Sequence, residues 1–410
     1  MKTSRSMIST FFISNRRKRH AAVWLGTIAL WTMSGCDSQS GKTQDQLAQE
    51  FDIALASRDF STGADLLRAY TAKAAPDDAW LPVMKGRLDL AKGRESDGLA
   101  ILEAIPENSP HYAIAMQMAG QVHLRAGRLV PAEKRFLAAI RADDRAIVPR
   151  RELIYIYGLQ LRRRELREVF AGLARVSPLS FGNVFHWCLT RGNDWEPQEI
   201  IDDMTKFLAA DPTDRWSRIA KARSLLRLSK RDEARETLAP LAEDDPDAIA
   251  LRAQIALDEG DSDKVIEFLA KGPRDHFDLA VMRARLALAE GELEKARDEF
   301  AIASKLDPDN RDAVIGMARV LAALGDQTDA AQWQDRAAKL DKLAALVQKA
   351  AEPNAQNDID LMRKLAAGCE AVGHMAEAKA WWDLVAARNP LDQEAQAALY
   401  RLNSTAKQGP

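Results

Sequence analysis

FDLAVMRARLALAEGELEKARDEFAIASKLDPDN, residues 277–310, is followed by RDAVIGMARVLAALGDQTDAAQWQDRAAKLDKLA, residues 311–344, and the second segment repeats the pattern of the first. In the first, Ala280, Ala284 and Leu288 recur at helical spacing, Gly291 interrupts them, Ala296, Phe300 and Ala303 form a second stripe, and Pro308 closes it. Each residue type has a geometric reason. Alanine lets two helix backbones approach, glycine permits the turn, phenylalanine fills the gap to the next unit, and proline stops the second helix. Thirty-four residues on, Val314, Ala318, Ala322, Gly325, Ala330, Gln334 and Ala337 keep the phase. A 34-residue period of this kind predicts helix-turn-helix units that cannot cover their apolar faces alone and must stack, leaving an extended binding surface.

The same ruler extends outward. Gly86 and Gly93 are matched by Gly120 and Gly127, and Leu102 and Pro110 by Phe136 and Asp144. The next unit keeps Leu153, Tyr157, Leu166, Phe170 and Pro178 but loses the turn glycine. Further units run through Trp216, Ala222, Ala234, Leu238 and Pro246, then Ala253, Gly260 and Leu269, and finally Met362, Ala366, Gly373, Ala378, Trp382 and Pro390. The pattern resembles the tetratricopeptide repeat family, which implies an all-α, right-handed solenoid over residues 47–390 in eight or nine units. An insertion near 343–357 reads as an extra helical turn and a loop, 391–402 as a capping helix, and 403–410 as a disordered tail.

Composition excludes several classes. Hydrophobic residues make up 47% and charged residues 29% of the 410, an alanine-, leucine- and arginine-rich balance that suits helices and leaves no β-rich domain. The net charge of -2 hides an asymmetry: residues 1–35 carry six basic and no acidic side chains, which leaves 52 basic against 60 acidic in the rest. That acidic remainder argues against nucleic acid as a partner.

The first residues read as an address. Asn15 to His20 are basic, and Ala21 to Met33 form an apolar run shorter than the roughly 20 residues of a spanning helix, which predicts a signal peptide over 1–35. Ser34, Gly35 and Cys36 then resemble the cleavage region of bacterial lipoproteins, with Met33 where leucine is usual. The resemblance implies lipidation of Cys36, a polar tether over 36–46, and a protein exported and anchored in the cell envelope, facing the periplasm. Asp37 resembles the inner-membrane retention signal of enteric-type lipoproteins. An unlipidated signal peptide or uncleaved anchor is the alternative.

Chemistry is sparse in what remains. His186 and Cys188 are the closest histidine–cysteine pair, and residues two apart on a helix diverge, so no metal or cofactor is expected. Cys188 and Cys369 lie in distant repeats and read as small buried residues held apart. The carboxylates Asp202, Asp203 and Glu243 to Asp247 read as helix-start and turn charges. Arg162, Arg163, Arg164 and Arg167, with Arg145, Arg150 and Arg151, read either as an anionic contact patch or as a solvated turn paired to Glu165 and Glu168.

The family resemblance also implies that the first helix of each unit lines the groove. On that basis Arg87, Gln121, Tyr155, Arg223, Gln254, Arg285 and Arg319 form a ladder suited to an acidic segment or a free carboxyl terminus, or else to internal ion pairs. Trp80, Met84 and Tyr155 are candidate anchors, Trp80 alternatively a packing residue. The expected function is a non-catalytic protein-binding scaffold; the alternatives are a subunit or cryptic enzyme of envelope polymer metabolism, or a self-associating structural protein.

Overall fold

The structure, a computed structural model, describes residues 41–190 and 196–406. The leader, Cys36 and residues 407–410 of the expected tail lie outside these residues. All regular structure among the described residues is helical. Two compact units are present, one up to Ile156 and the other from Tyr157 onward. The first contains α1 (Gln44–Ala56), α2 (Phe60–Lys73), α3 (Leu81–Ala91), α4 (Glu95–Glu103), α5 (Tyr112–Arg125), α6 (Leu129–Ala142) and the greater part of α7 (Ile147–Leu159).

The second continues with α8 (Arg163–Val176), α9 (Phe181–Leu189), α10 (Pro197–Ala210), α11 (Arg215–Arg227), α12 (Arg231–Leu238), α13 (Pro246–Glu259) and α14 (Ser262–Lys271). It ends with α15 (Phe277–Ala289), α16 (Leu293–Leu306), α17 (Arg311–Ala323), α18 (Gln327–Ala350), α19 (Ile359–Ala371), α20 (Met375–Arg388) and α21 (Gln393–Ala406). Read in order, α1 to α20 make ten helix pairs, more than the eight or nine units expected.

Local sequence explains the boundaries. Thr43 opens α1 with a capping box: its side chain accepts from the Gln46 amide while the Gln46 side chain accepts from the Thr43 amide. The helix therefore starts at Gln44, inside the expected tether. Pro246, expected to end a unit, instead occupies the first turn of α13 behind the cap residue Asp245, where its missing N–H costs nothing. Asp392 caps α21, which runs through Asn403–Ala406, residues expected in the tail. Its Ala395, Ala398 and Leu402 are buried, as a terminal cap requires.

Among the described residues, the turn within a pair uses a left-handed residue. Gly93, Gly127, Gly260, Gly291, Gly325 and Gly373 all have positive φ. The same conformation persists without glycine at Arg58, Leu161 and Ser229, so the unit that lost its glycine kept the turn and carries the strain. From Ser229 to Gly260 is 31 residues, as from Gly260 to Gly291, so two successive units are short rather than one. Where Phe300 fills the joint to the next unit, a Cβ on Gly316 would lie 2.2 Å from its ring, which is why that helix position is glycine.

The insertion is built differently from the expected turn and loop. α18 extends to 24 residues, against 14 in α16, because no glycine or proline interrupts it before Pro353, and it buries Leu343, Val347 and Ala350. A short 3-10 turn, Ala355–Asn357, then leads into α19.

The second unit also closes on itself. The Trp381 ring on α20 meets Phe181 of α9 edge-on at 5.3 Å between centroids, and its Nε1–H donates to Cys188 Sγ at 3.4 Å. Repeats nearly 200 residues apart therefore touch, which corrects the expectation that they stand apart. Both cysteines are free and buried, as expected.

Candidate protein-docking wall

One face of the first helices repeats with the turn. Counting back from each left-handed residue, the ladder position falls six residues before it and a second position thirteen before it, two turns away on the same helical face. Ion pairs show that the two positions share a wall, between successive first helices for Arg285 and past the intervening α13 for Arg223. Arg285 Nη2 of α15 lies 2.9 Å from Asp312 Oδ2 of α17, and Arg223 Nη2 of α11 lies 3.0 Å from Asp278 Oδ2 of α15. In the second unit the thirteen-back position holds Trp216 on α11 and then Asp247, Asp278, Asp312 and Asp360 on the later first helices, an acidic row. In α5 and α7 the same position holds Ile114 and Val148, each 36% exposed.

The ladder divides accordingly. Arg87 of α3 reaches back to Asp52 at 2.6 Å and lies over the Phe51 ring at 5.6 Å. Gln254 donates to Asp258 on its own helix at 2.7 Å. With Arg223 and Arg285 also engaged, internal pairing accounts for most of the expected donors. Arg319 is exposed and Gln121 half-buried, and among the described residues neither has a hydrogen-bond or ion-pair partner. Tyr155 is half-buried. Arg125, at the far end of α5 from Ile114, and Arg151, one turn after Val148 on α7, are likewise exposed and without a partner among the described residues. Met84 is fully buried and belongs to the core, so it cannot anchor a partner. Trp80 packs against two core clusters and meets His111 at 4.7 Å, the packing role.

Electrostatics reinforce the contrast. Burial pushes the Asp247 carboxyl up, but hydrogen bonds from His276 at 3.3 Å and Arg215 at 2.6 Å outweigh it and hold the group down to about 2. Burial likewise pushes the Glu103 carboxyl on α4 up, and hydrogen bonds from His123 and Arg135 outweigh it and hold the group below its ordinary value.

The triple arginine is neither a lipid patch nor simply a solvated turn. Arg162 stacks over Tyr157 at 4.3 Å and Trp216 at 4.6 Å while donating to Glu165 at 2.9 Å. Arg164 is exposed and pairs with Glu168 at 3.2 Å, as expected. Arg163 turns inward, and Arg167 stands 3.8 Å from Asp307. Asp202 and Asp203 sit inside α10, accepting from Gln198 and Lys206, rather than at a helix start. His186 is half-buried, and desolvation lowers its pKa. Sequence reading missed Ile114, Val148 and Arg125 and placed Arg151 only in the basic cluster; for Ile114 and Val148 the available signal was their fixed distance from the turn.

No curated protein matches the chain. Among solved structures, a tetratricopeptide repeat protein from Parabacteroides merdae is 15% identical, covering 68% of this chain and 98% of that one, with a TM-score of 0.31. A structure described as Pseudomonas aeruginosa pilF is 13% identical, covering 58% and 97%, with a TM-score of 0.30. The Cut9–Hcn1 hetero-tetramer of the APC/C is 13% identical, covering 88% and 86%, at 0.32. The tetratricopeptide repeat family itself matches residues 219–273 and 281–345, the stretch in which the helix pairs from α11 to α18 were read from period and turn.

Proposed function

We propose that this chain is a non-catalytic scaffold that docks segments of other proteins on its first-helix wall. One observation carries the reading: α5 and α7 present Ile114 and Val148 to solvent on the same helices as Gln121, Arg125 and Arg151, groups that no internal partner engages among the described residues. Exposed apolar groups flanked by unpaired cations suit a segment that alternates aliphatic and acidic residues. Arg319 offers the same chemistry in the second unit. The ladder expected from sequence is thereby narrowed to Gln121 and Arg319, since Arg87, Gln254, Arg223 and Arg285 serve the wall itself.

The test is binding of a leucine-containing acidic peptide and its neutral counterpart, followed by fluorescence anisotropy. The acidic peptide binds wild type, and binding weakens roughly tenfold in Ile114→Asp and severalfold in Arg151→Ala. Equal affinity for both peptides across all three proteins removes the reading.

The basic leader and Cys36 support export and lipid anchoring in the envelope as part of this proposal. No helix among the described residues is long and apolar enough to cross a membrane. Mass spectrometry of the native amino terminus tests it: a diacylated Cys36 is expected, and an intact leader would refute it. Self-association is the second reading, favoured by Leu391 and Tyr400 at the carboxyl-terminal helix, which are 88% and 78% exposed. Light scattering of wild type against Tyr400→Ser decides that reading.

A further inference from the structure

Among the described turns, the longest departure from the 34-residue period is the insertion. From Gly325 to Gly373 is 48 residues, against 34 from Gly291 to Gly325, and the extra length prolongs α18 and forms the loop into α19. Stacking alone does not require it. Insertions in repeat arrays fall in loops on one face, often the face that binds. Between the end of α18, this loop and the start of α19 lies a cavity of about 420 Å³, whose lining includes Leu346, Lys349, Glu352, Asp358, Leu361 and Lys364. We infer that this cavity binds a small aliphatic zwitterion, an amino acid or a short peptide. Its carboxylate meets the lysines, its ammonium meets Glu352, and its side chain lies on the leucines.

The charges carry the assignment. Two cations, Lys349 and Lys364, and two carboxylates, Glu352 and Asp358, line one space, so the lining is neutral as a whole. Yet the opposite charges do not meet. Neither lysine has a hydrogen-bond or ion-pair partner among the described residues, and neither has the Glu352 carboxylate. Lys349 and Glu352 are three residues apart, the spacing at which charges pair on a helix, but α18 stops at Ala350, between them. Asp358 is committed differently. As the cap of α19 its Oδ1 accepts from the Leu361 amide at 2.8 Å, so that helix start is already served and the lysines form the cationic end of the site. A simple anion would meet Glu352 in the same space, and a simple cation would meet the lysines. A molecule carrying one charge of each sign matches both ends.

The rest of the lining fits the body of such a ligand. Leu361 and Ala355 are buried and Leu346 is half-buried, which makes an apolar floor, while the four charged residues are exposed at the rim. The volume falls within the range of small-molecule sites. The loop is also fixed before any ligand arrives. Asn354 takes a left-handed backbone with φ of 68°, which asparagine tolerates, and Arg388 of α20 donates to the Gln356 carbonyl at 2.8 Å. The inference holds whether or not a partner docks on α5 and α7.

Isothermal titration calorimetry on the full chain tests it with four probes: leucine, leucyl-leucine, 4-methylpentanoate, which lacks the ammonium, and 3-methylbutylamine, which lacks the carboxylate. Leucine or leucyl-leucine is expected to bind with a Kd of about 1 mM or tighter, and each single-charge analogue at least about tenfold more weakly. The tighter of the first two identifies the source as a free amino acid or a peptide. Lys364→Ala and Glu352→Gln should each weaken binding by about fivefold or more, with the melting temperature unchanged because both side chains are exposed and unpaired among the described residues. Lys342→Ala, exposed on α18 outside the cavity, should leave the affinity as it is. Three results overturn the site. They are no binding of either zwitterion up to about 10 mM, a single-charge analogue that binds as tightly as the better zwitterion, and wild-type affinity in either cavity variant.

Discussion

The wall of the first unit and the wall of the second are built on one repeat, yet they invest the same position differently. Thirteen residues before the turn, α5 and α7 carry Ile114 and Val148, whereas α13, α15 and α17 carry Asp247, Asp278 and Asp312. In the second unit those carboxylates consume the arginines Arg215, Arg223 and Arg285 of other first helices. In the first, Gln121 meets no carboxylate and stays unengaged among the described residues. A wall that satisfies itself gains rigidity and loses ligand capacity; one that leaves an apolar row exposed does the reverse.

The largest expected effect would break the contrast at its packing. Trp381→Ala should destabilise the second unit by about 3–5 kcal/mol in urea titration and raise Cys188 reactivity. Phe136→Ala, equally buried in the first unit, should cost a similar ~3–5 kcal/mol while leaving Cys188 protected. If both substitutions expose Cys188 alike, the contact between α9 and α20 is no separate feature of the second unit.

Next comes charge. The Asp247 carboxyl lies well below its ordinary 3.8, at about 2, so it stabilises the fold fully above pH ~4 and loses that contribution as the pH falls toward 2. Asp247→Asn should therefore cost about 2 kcal/mol at pH 7 and nearly nothing at pH 2, so the two stability–pH curves converge on acidification. Curves that stay parallel down to pH 2 would show that the acidic row is not what the second wall rests on.

Smaller effects sharpen the comparison. Arg58→Gly in the first unit and Ser229→Gly in the second each relieve a left-handed backbone at an exposed turn and should stabilise by roughly 0.5–1 kcal/mol, alike in both units. A gain in one only would mean the turns are not equivalent. Smallest of all, Gln121→Ala and Arg319→Ala should leave stability within about 0.5 kcal/mol while weakening acidic-peptide binding. Loss of stability instead would assign these residues to internal pairing.

Much of the fold was legible because helix pairing is local. Alanine and glycine spacing, Phe300 and the turn glycines mark contacts made within one or two units, and these recur where the period placed them. The insertion was misjudged because an uninterrupted run of helix formers reads the same whether it adds one turn or prolongs a helix, and α18 prolongs it. The candidate site was legible only as a phase. That Arg285 points along the wall followed from register; that Asp312 waits 2.9 Å away depended on how the next helix is set against it.

Residue order alone determined that this protein is a stack of helix pairs joined, among the described residues, by left-handed turns, since the period, the caps and the apolar stripes act over a few residues and need no distant partner. Tertiary structure decided which wall is spent on itself, where Arg163 and Arg167 point, and that Cys188 rests against Trp381. The reason is curvature. Small tilts between neighbours accumulate over successive repeats, and only their sum brings residues nearly 200 positions apart into contact.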